Sequence, residues 1–187
     1  MKPLLLCFLM LLVSTLVAQQ SDPRFQNAAE TLSFAAVERI QSEALGEERV
    51  LNIYLPQGFH PDSAKSYPVI YVLDGSAHED FPHIAGLVQF LNMYELVPSS
   101  IVVGIANVDR YRDFTFPSED AKDRESLPTS GGADAFMRFV GEEVLPLIAE
   151  RYHVNEDRML IGQSLGGLMA TEFLMLQPDL FNRYMIV

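Results

Sequence analysis

Met159-Leu160-Ile161-Gly162-Gln163-Ser164-Leu165-Gly166-Gly167 is the stretch that decides the fold. A continuous apolar run ends on a G-x-S-x-G pentapeptide, and an apolar-periodic segment, Leu165 to Leu176, begins inside it. A buried strand, a sharp turn and a helix in that order are what a nucleophile elbow requires. Three fixed residues are a weak pattern alone; the flanking strand and helix make it specific. The physical reason is steric. Ser164 must take a strained backbone conformation to lift its hydroxyl above the sheet, so Gly162 and Gly166 must lack side chains that would collide. Placement at a helix N-terminus turns the Leu165 N–H toward any oxyanion that forms beside Ser164. The competing reading is a serine that only caps a helix within a Gly-rich turn.

Working outward, Val69 to Leu73, Ile101 to Ile105 and Tyr184 to Val187 are further apolar runs of the kind that mark strands buried on both faces. Helical stripes lie between them: Ile84, Leu87, Val88 and Leu91, then Phe136, Phe139, Val140, Val144, Leu147 and Ile148. Pro146 is expected to kink or shorten the second helix. Upstream, Phe34 to Ile40 and Val50 to Leu55 alternate with period two around Gly46-Glu47-Glu48, predicting an antiparallel hairpin with one wet face. The expected architecture is α/β: that hairpin, then a parallel sheet with helices on both faces. Residues 107–132 form one long irregular connection, a common place for function.

Acyl transfer needs a second oxyanion donor, from the loop after the third strand. That strand ends Leu73-Asp74-Gly75-Ser76-Ala77-His78, so Gly75 is expected to make the sharp turn and the Ser76 N–H to be the donor. His78 and His83 flank the same loop, as pocket lining or as ordinary surface histidines. In the long loop, Arg110, Tyr111, Arg112 and Phe114 would suit an aryl or catechol acyl group. Equally, Arg112 and Asp113 would only hold the loop to the body.

Pro68 to Gly75, Arg112-Asp113-Phe114-Thr115, Ser130 to Phe136 and the Gly162 to Gly167 elbow together resemble the family called Putative esterase, a branch of the α/β-hydrolases. That branch includes esterase D-type enzymes, enterobactin-type siderophore esterases and feruloyl esterases. The resemblance runs from about Glu38 to Val187 and implies an α/β-hydrolase fold. It implies Ser164 as nucleophile, with Leu165 and Ser76 supplying the oxyanion N–H groups. It implies neither metal nor organic cofactor, and leaves the ester unnamed.

One departure from that pattern is plain. The triad of this fold runs Ser, acid, His along the chain. Twenty-three residues follow Ser164 and none is histidine; His60, His78, His83 and His153 all precede it. Residues 19–187 are therefore expected to be an incomplete α/β-hydrolase domain, truncated after the nucleophile helix and the next strand. On this expectation the fragment lacks the acid and the histidine and is itself inactive. The parent protein is expected to be a serine ester hydrolase acting on a small-molecule ester. An acyltransferase on the same scaffold and a non-catalytic binding module are the alternatives, and His78 as base would need an unidentified acid.

Composition narrows the partners. Thirteen Lys and Arg against twenty-five Asp and Glu give a net charge of −12, which argues against nucleic acid and anionic lipid. At the start of the chain, Lys2, the apolar stretch Leu4 to Val17 and Ala18 before a polar boundary read as a secretory signal peptide over residues 1–18. Those fourteen residues from Leu4 fall short of the about 20 that a spanning helix needs. The expectation is export to the periplasm or medium, with no stable membrane association after cleavage. The one cysteine, Cys7, lies within the signal segment.

Overall fold

Alternation over Ala36–Gln41 (β1) and Glu48–Tyr54 (β2) builds the hairpin, with Ala36 opposite Ile53 and Gln41 opposite Glu48. Gly46, at φ 67°, supplies the left-handed position its turn needs. The computed structural model describes residues 32–187, so the signal segment 1–18 lies outside the described residues. Within the hairpin, the wet side belongs to β1. β2 is an interior strand that also pairs antiparallel with Ile101–Ile105 (β4), which is why Leu51, Ile53 and Tyr54 are all buried.

Tyr67–Val72 (β3), β4, Val154–Gly162 (β5) and Arg183–Ile186 (β6) are mutually parallel where they pair, giving one six-stranded mixed sheet of order β1-β2-β4-β3-β5-β6. β5 starts five residues before the apolar run, in polar sequence that the pattern did not mark as strand. Helices cover both faces. On one, Tyr54, Val72 and Val102 meet Phe81, Ala85 and Val88 of α1 (Phe81–Met93). On the other, Leu51, Tyr71, Val103 and Leu160 pack against Phe136, Val144, Met169 and Phe173.

Two helices differ from their periodic stripes. α1 turns Phe81, Ala85 and Val88 inward and leaves Leu87 half-exposed. Phe81 fixes that rotation by lying against Gly104, where a Cβ would stand 2.6 Å from the Phe81 ring. In the second, Pro146 neither ends nor interrupts the helical path. Ala133–Arg138 (α4) widens into a π-helical segment, Phe139–Val144, and resumes as Leu145–Arg151 (α5) with Pro146 as its second residue, so the ladder changes register just before the residue that has no N–H to give.

The long connection holds two short helices, Arg110–Asp113 (α2) and Ala121–Ser126 (α3), capped by the Asp109 and Asp120 carboxylates. Its neck is closed by backbone bonds from Gly131 and Ala133 to the Thr115 carbonyl and from Gly132 to the Arg112 carbonyl. No helix among the described residues is long and apolar enough to cross a membrane.

Candidate active site

The loops that follow β4, β3 and β5 leave the same end of three adjacent parallel strands. In such sheets, ligand sites form at that carboxyl end. β5 ends at Gly162, and Leu165–Leu176 (α6) begins at once, so the chain reverses over Gln163 and Ser164. Ser164 has φ 53° and ψ −119° and is exposed. These are the dihedrals of the first central residue of a type II′ turn, a place glycine normally fills. A non-glycine residue held there costs on the order of 1–3 kcal/mol.

The glycines around it are needed for contact. A Cβ on Gly162 would lie 2.2 Å from the Gly166 carbonyl oxygen, so the turn itself excludes any side chain. On Gly166 it would lie 2.8 Å from Asp74 Oδ2, an acid from the β3 loop. The Ser164 N–H donates to the Val187 carbonyl at 2.7 Å, joining the turn to the end of β6. Leu165 opens α6, and first-turn N–H groups have no acceptor within their own helix.

The β3 loop is built differently from its sequence expectation. The positive φ, 54°, belongs to Asp74 and not to Gly75. Gly75 is required by close approach: a Cβ there would stand 2.2 Å from the Ile105 nitrogen and 2.4 Å from Gly104. Ser76 is buried; its N–H donates to Glu79 Oε2 at 3.3 Å and its Oγ accepts from the Asn107 N–H at 3.2 Å. Ser76 and Glu79 thus form half of a capping box, a three-residue spacing visible in the sequence. His78 and His83 are exposed, and Gln163 rather than a histidine reaches that loop, donating to Asp80 Oδ1 at 3.3 Å.

Sequence reasoning offered Arg112 and Asp113 as anchors of the loop but missed the partners of Arg110. Arg110 donates from Nε to Asp74 Oδ1 at 2.6 Å and from Nη2 to Oδ2 at 2.9 Å, and Nη2 also reaches the Gln163 carbonyl at 3.4 Å. Asn107 Nδ2 donates to the same Asp74 Oδ1 at 2.7 Å and to both Glu79 oxygens at 3.2 Å. The Asp74 hydrogen bond raises the Arg110 guanidinium above its ordinary pKa.

Arg112 does the anchoring. Its guanidinium bonds Glu47 at 2.6 and 3.1 Å and Asp113 at 2.7 Å, and Asp113 in turn holds the fully buried Arg49 at 2.6 Å. Hydrogen bonding from Arg112, reinforced by Arg49, holds the Glu47 carboxyl below its ordinary value of 4.5 against the opposing effect of burial. A folded-state pKa below the unfolded one contributes stability above pH ~4.5 that is lost as pH falls through the depressed value. The melting temperature is therefore expected to fall more steeply in acid for the natural sequence than for Glu47→Gln. Parallel profiles between about pH 6 and pH 3 would show that the pair contributes nothing. Asp109 is likewise depressed, chiefly by the Arg112 backbone N–H that it accepts.

Beside the elbow, a pocket of about 280 Å³ is walled by Leu165, Leu168 and Glu172 of α6 and by Phe114, Phe116 and Leu127 of the long loop. Among the described residues, no group of three His, Cys, Asp or Glu could hold a metal ion.

Residues 42–187 match the family described as Putative esterase. The ferri-bacillibactin esterase BesA of Bacillus subtilis (strain 168) is 29% identical over 182 residues, covering 89% of this chain and 62% of its own length. Among solved structures, an IroE-like serine hydrolase from Shewanella oneidensis superposes with TM-score 0.72 at 34% identity, over 81% of this chain and 49% of that one. The BES protein from Bacillus cereus gives 0.70 at 31% identity, over 84% and 63%. The chain thus spans about half to two thirds of the length of these relatives. It belongs to the Putative esterase family, and its fold is of the α/β-hydrolase type.

Proposed function

We propose that the protein is an exported serine hydrolase of small-molecule carboxylic esters, working through an acyl-enzyme on Ser164. The observation that carries this is the exposed serine held at φ 53° between a strand and a helix, with a glycine two residues to each side. Such strain persists only where the surroundings enforce it and has little use in a helix cap. In the first half-reaction Ser164 Oγ bonds to the ester carbonyl carbon and the carbonyl electron pair moves to oxygen. A base takes the hydroxyl proton and returns it to the leaving alkoxide as the C–O bond breaks. Water then repeats the sequence on the acyl-enzyme. The Leu165 N–H at the start of α6 and the Ser76 N–H are the proposed oxyanion donors, and the latter must be released by Glu79 to serve. The apolar wall of Phe114, Phe116, Leu165 and Leu168 supports an acyl group lodged in the adjoining pocket. The name of the Bacillus subtilis relative makes a siderophore ester the first substrate to assay.

The test is a fluorophosphonate probe on the whole protein, followed by peptide mapping. Rapid labelling at Ser164 is expected; an unlabelled active protein would rule the serine out. Export is tested separately by N-terminal sequencing of secreted material, expected to begin at Gln19. A product retaining Met1 in the membrane fraction would contradict it.

A further inference from the structure

The Asp74 carboxylate is in an unusual place. It is 5% exposed, sits on a residue with φ 54°, and packs so closely on the first turn of α6 that Gly166 has no room for a Cβ. Gly166 is two residues from Ser164, and an uncompensated carboxylate so near the proposed nucleophile would oppose negative charge building up there. Only Arg110 and Asn107 hydrogen-bond that side chain among the described residues, and only Arg110 can neutralise it. The same guanidinium nitrogen that meets Oδ2 also reaches the carbonyl of Gln163, the residue before the serine. One side chain therefore touches both the β3 loop and the elbow while belonging to the β4 loop. Asn107 fixes the third side: with Nδ2 facing three carboxylate oxygens its amide orientation is settled, and its backbone N–H holds Ser76 Oγ.

From this geometry we infer that Arg110 is a positioning residue for ester hydrolysis: it locks the β3 loop to the serine turn and cancels the Asp74 charge where that carboxylate packs on the turn. The inference rests on the proposed serine chemistry. Arg110 acts through Asp74 and the Gln163 carbonyl, so its loss is expected to fall on kcat rather than on KM. Displacing a preorganised donor by a fraction of an ångström slows the bond-making step without weakening the ground-state complex.

The experiment compares Arg110→Gln, Arg110→Lys, Asp74→Asn and the double variant Arg110→Gln/Asp74→Asn in the whole protein, using a p-nitrophenyl ester. Rates are expressed per folded molecule, with folding followed by circular dichroism. Arg110→Gln is expected to lower kcat by about 10²-fold, with KM within about threefold of the parent. Arg110→Lys restores the charge but not the two-pronged contact, so its kcat lies between. The decisive comparison is the double variant. Removing the orphaned charge is expected to raise kcat about tenfold above Arg110→Gln alone, within the range of couplings seen between paired groups. A staple that only stabilises the fold would lower the melting temperature of each variant, leave kcat per folded molecule unchanged and show no such recovery. Parental kcat in Arg110→Gln, or a double variant no faster than that single one, overturns the inference. Should Arg110→Gln fail to fold, equal kcat in Arg110→Lys and the parent does the same. Failure of the underlying chemistry looks different: the parent itself would escape fluorophosphonate labelling at Ser164.

Discussion

Ser164→Ala in the whole protein is expected to lower kcat toward short aryl esters by about 10⁴-fold or more, with the fold intact. Ser164 is exposed and, in the proposed mechanism, its hydroxyl carries the acyl group, so its removal would delete the chemistry and almost none of the packing. A residual rate of roughly 10³ over water should survive, because oxyanion donors act on a water attack as well. Ser164→Gly sharpens the test. At φ 53° and ψ −119° glycine is unstrained, so this variant should be more stable than the parent by about 1 kcal/mol while equally inactive. Stability rising as activity vanishes would mark the strain as functional. Substantial activity in either variant would refute the assignment, as measured by steady-state hydrolysis and thermal melts on the same preparations.

Asp113→Ala is expected to destabilise the fold by about 3–5 kcal/mol, the usual cost of orphaning one member of a buried ion pair. Both side chains of the Arg49–Asp113 pair are fully buried, and Arg49 lies over the rings of Phe136 and Phe139. Removing the acid leaves that cation between aromatic faces with Glu47 and the Ala106 carbonyl as its remaining partners. The companion Arg49→Met/Asp113→Leu should recover much of the loss, since apolar replacement of both partners avoids the stranded charge. Urea denaturation measures both. A loss below about 1 kcal/mol in the single variant, the range of exposed pairs, would mean the pair is not isolated from solvent.

Local signals carried much of this into the sequence. The apolar run before Gly162, the periodic segment after Ser164 and the pentapeptide between them are contiguous, so strand, turn and helix could be placed without tertiary information. The same holds for β3 and β4, whose apolar runs are long enough to require burial on both faces. What escaped was set by partners far along the chain. Gly75 reads as a turn glycine, yet it is required by Gly104 and Ile105 on the neighbouring strand. Arg110 and Arg112 look alike two residues apart. Only their partners, Asp74 for one and Glu47 with Asp113 for the other, separate a group at the elbow from an anchor. The stripe of α1 was displaced because Phe81, at its first turn, answers to a gap on the sheet that the helix's own sequence does not reveal. The Ser76–Glu79 spacing was legible, and it bears on whether the Ser76 N–H is available.

The closed neck of the long loop separates inheritance from invention. Backbone bonds at Thr115, Arg112, Gly131 and Gly132 draw the two ends of the segment together before it reaches the pocket wall. Phe116, Ser118, Asp123, Leu127 and Ser130 then line the pocket from inside that closed segment, while Phe114, Leu165, Leu168 and Glu172 line it from the fixed body. Lengthening a loop whose ends are already joined adds only about 0.6 kcal/mol of closure entropy per doubling. Half of the pocket can therefore be rewritten, by insertion or wholesale exchange, while the strained serine and its glycines stay untouched. If the proposed ester chemistry holds, substrate range can be altered from the closed segment without touching the serine turn.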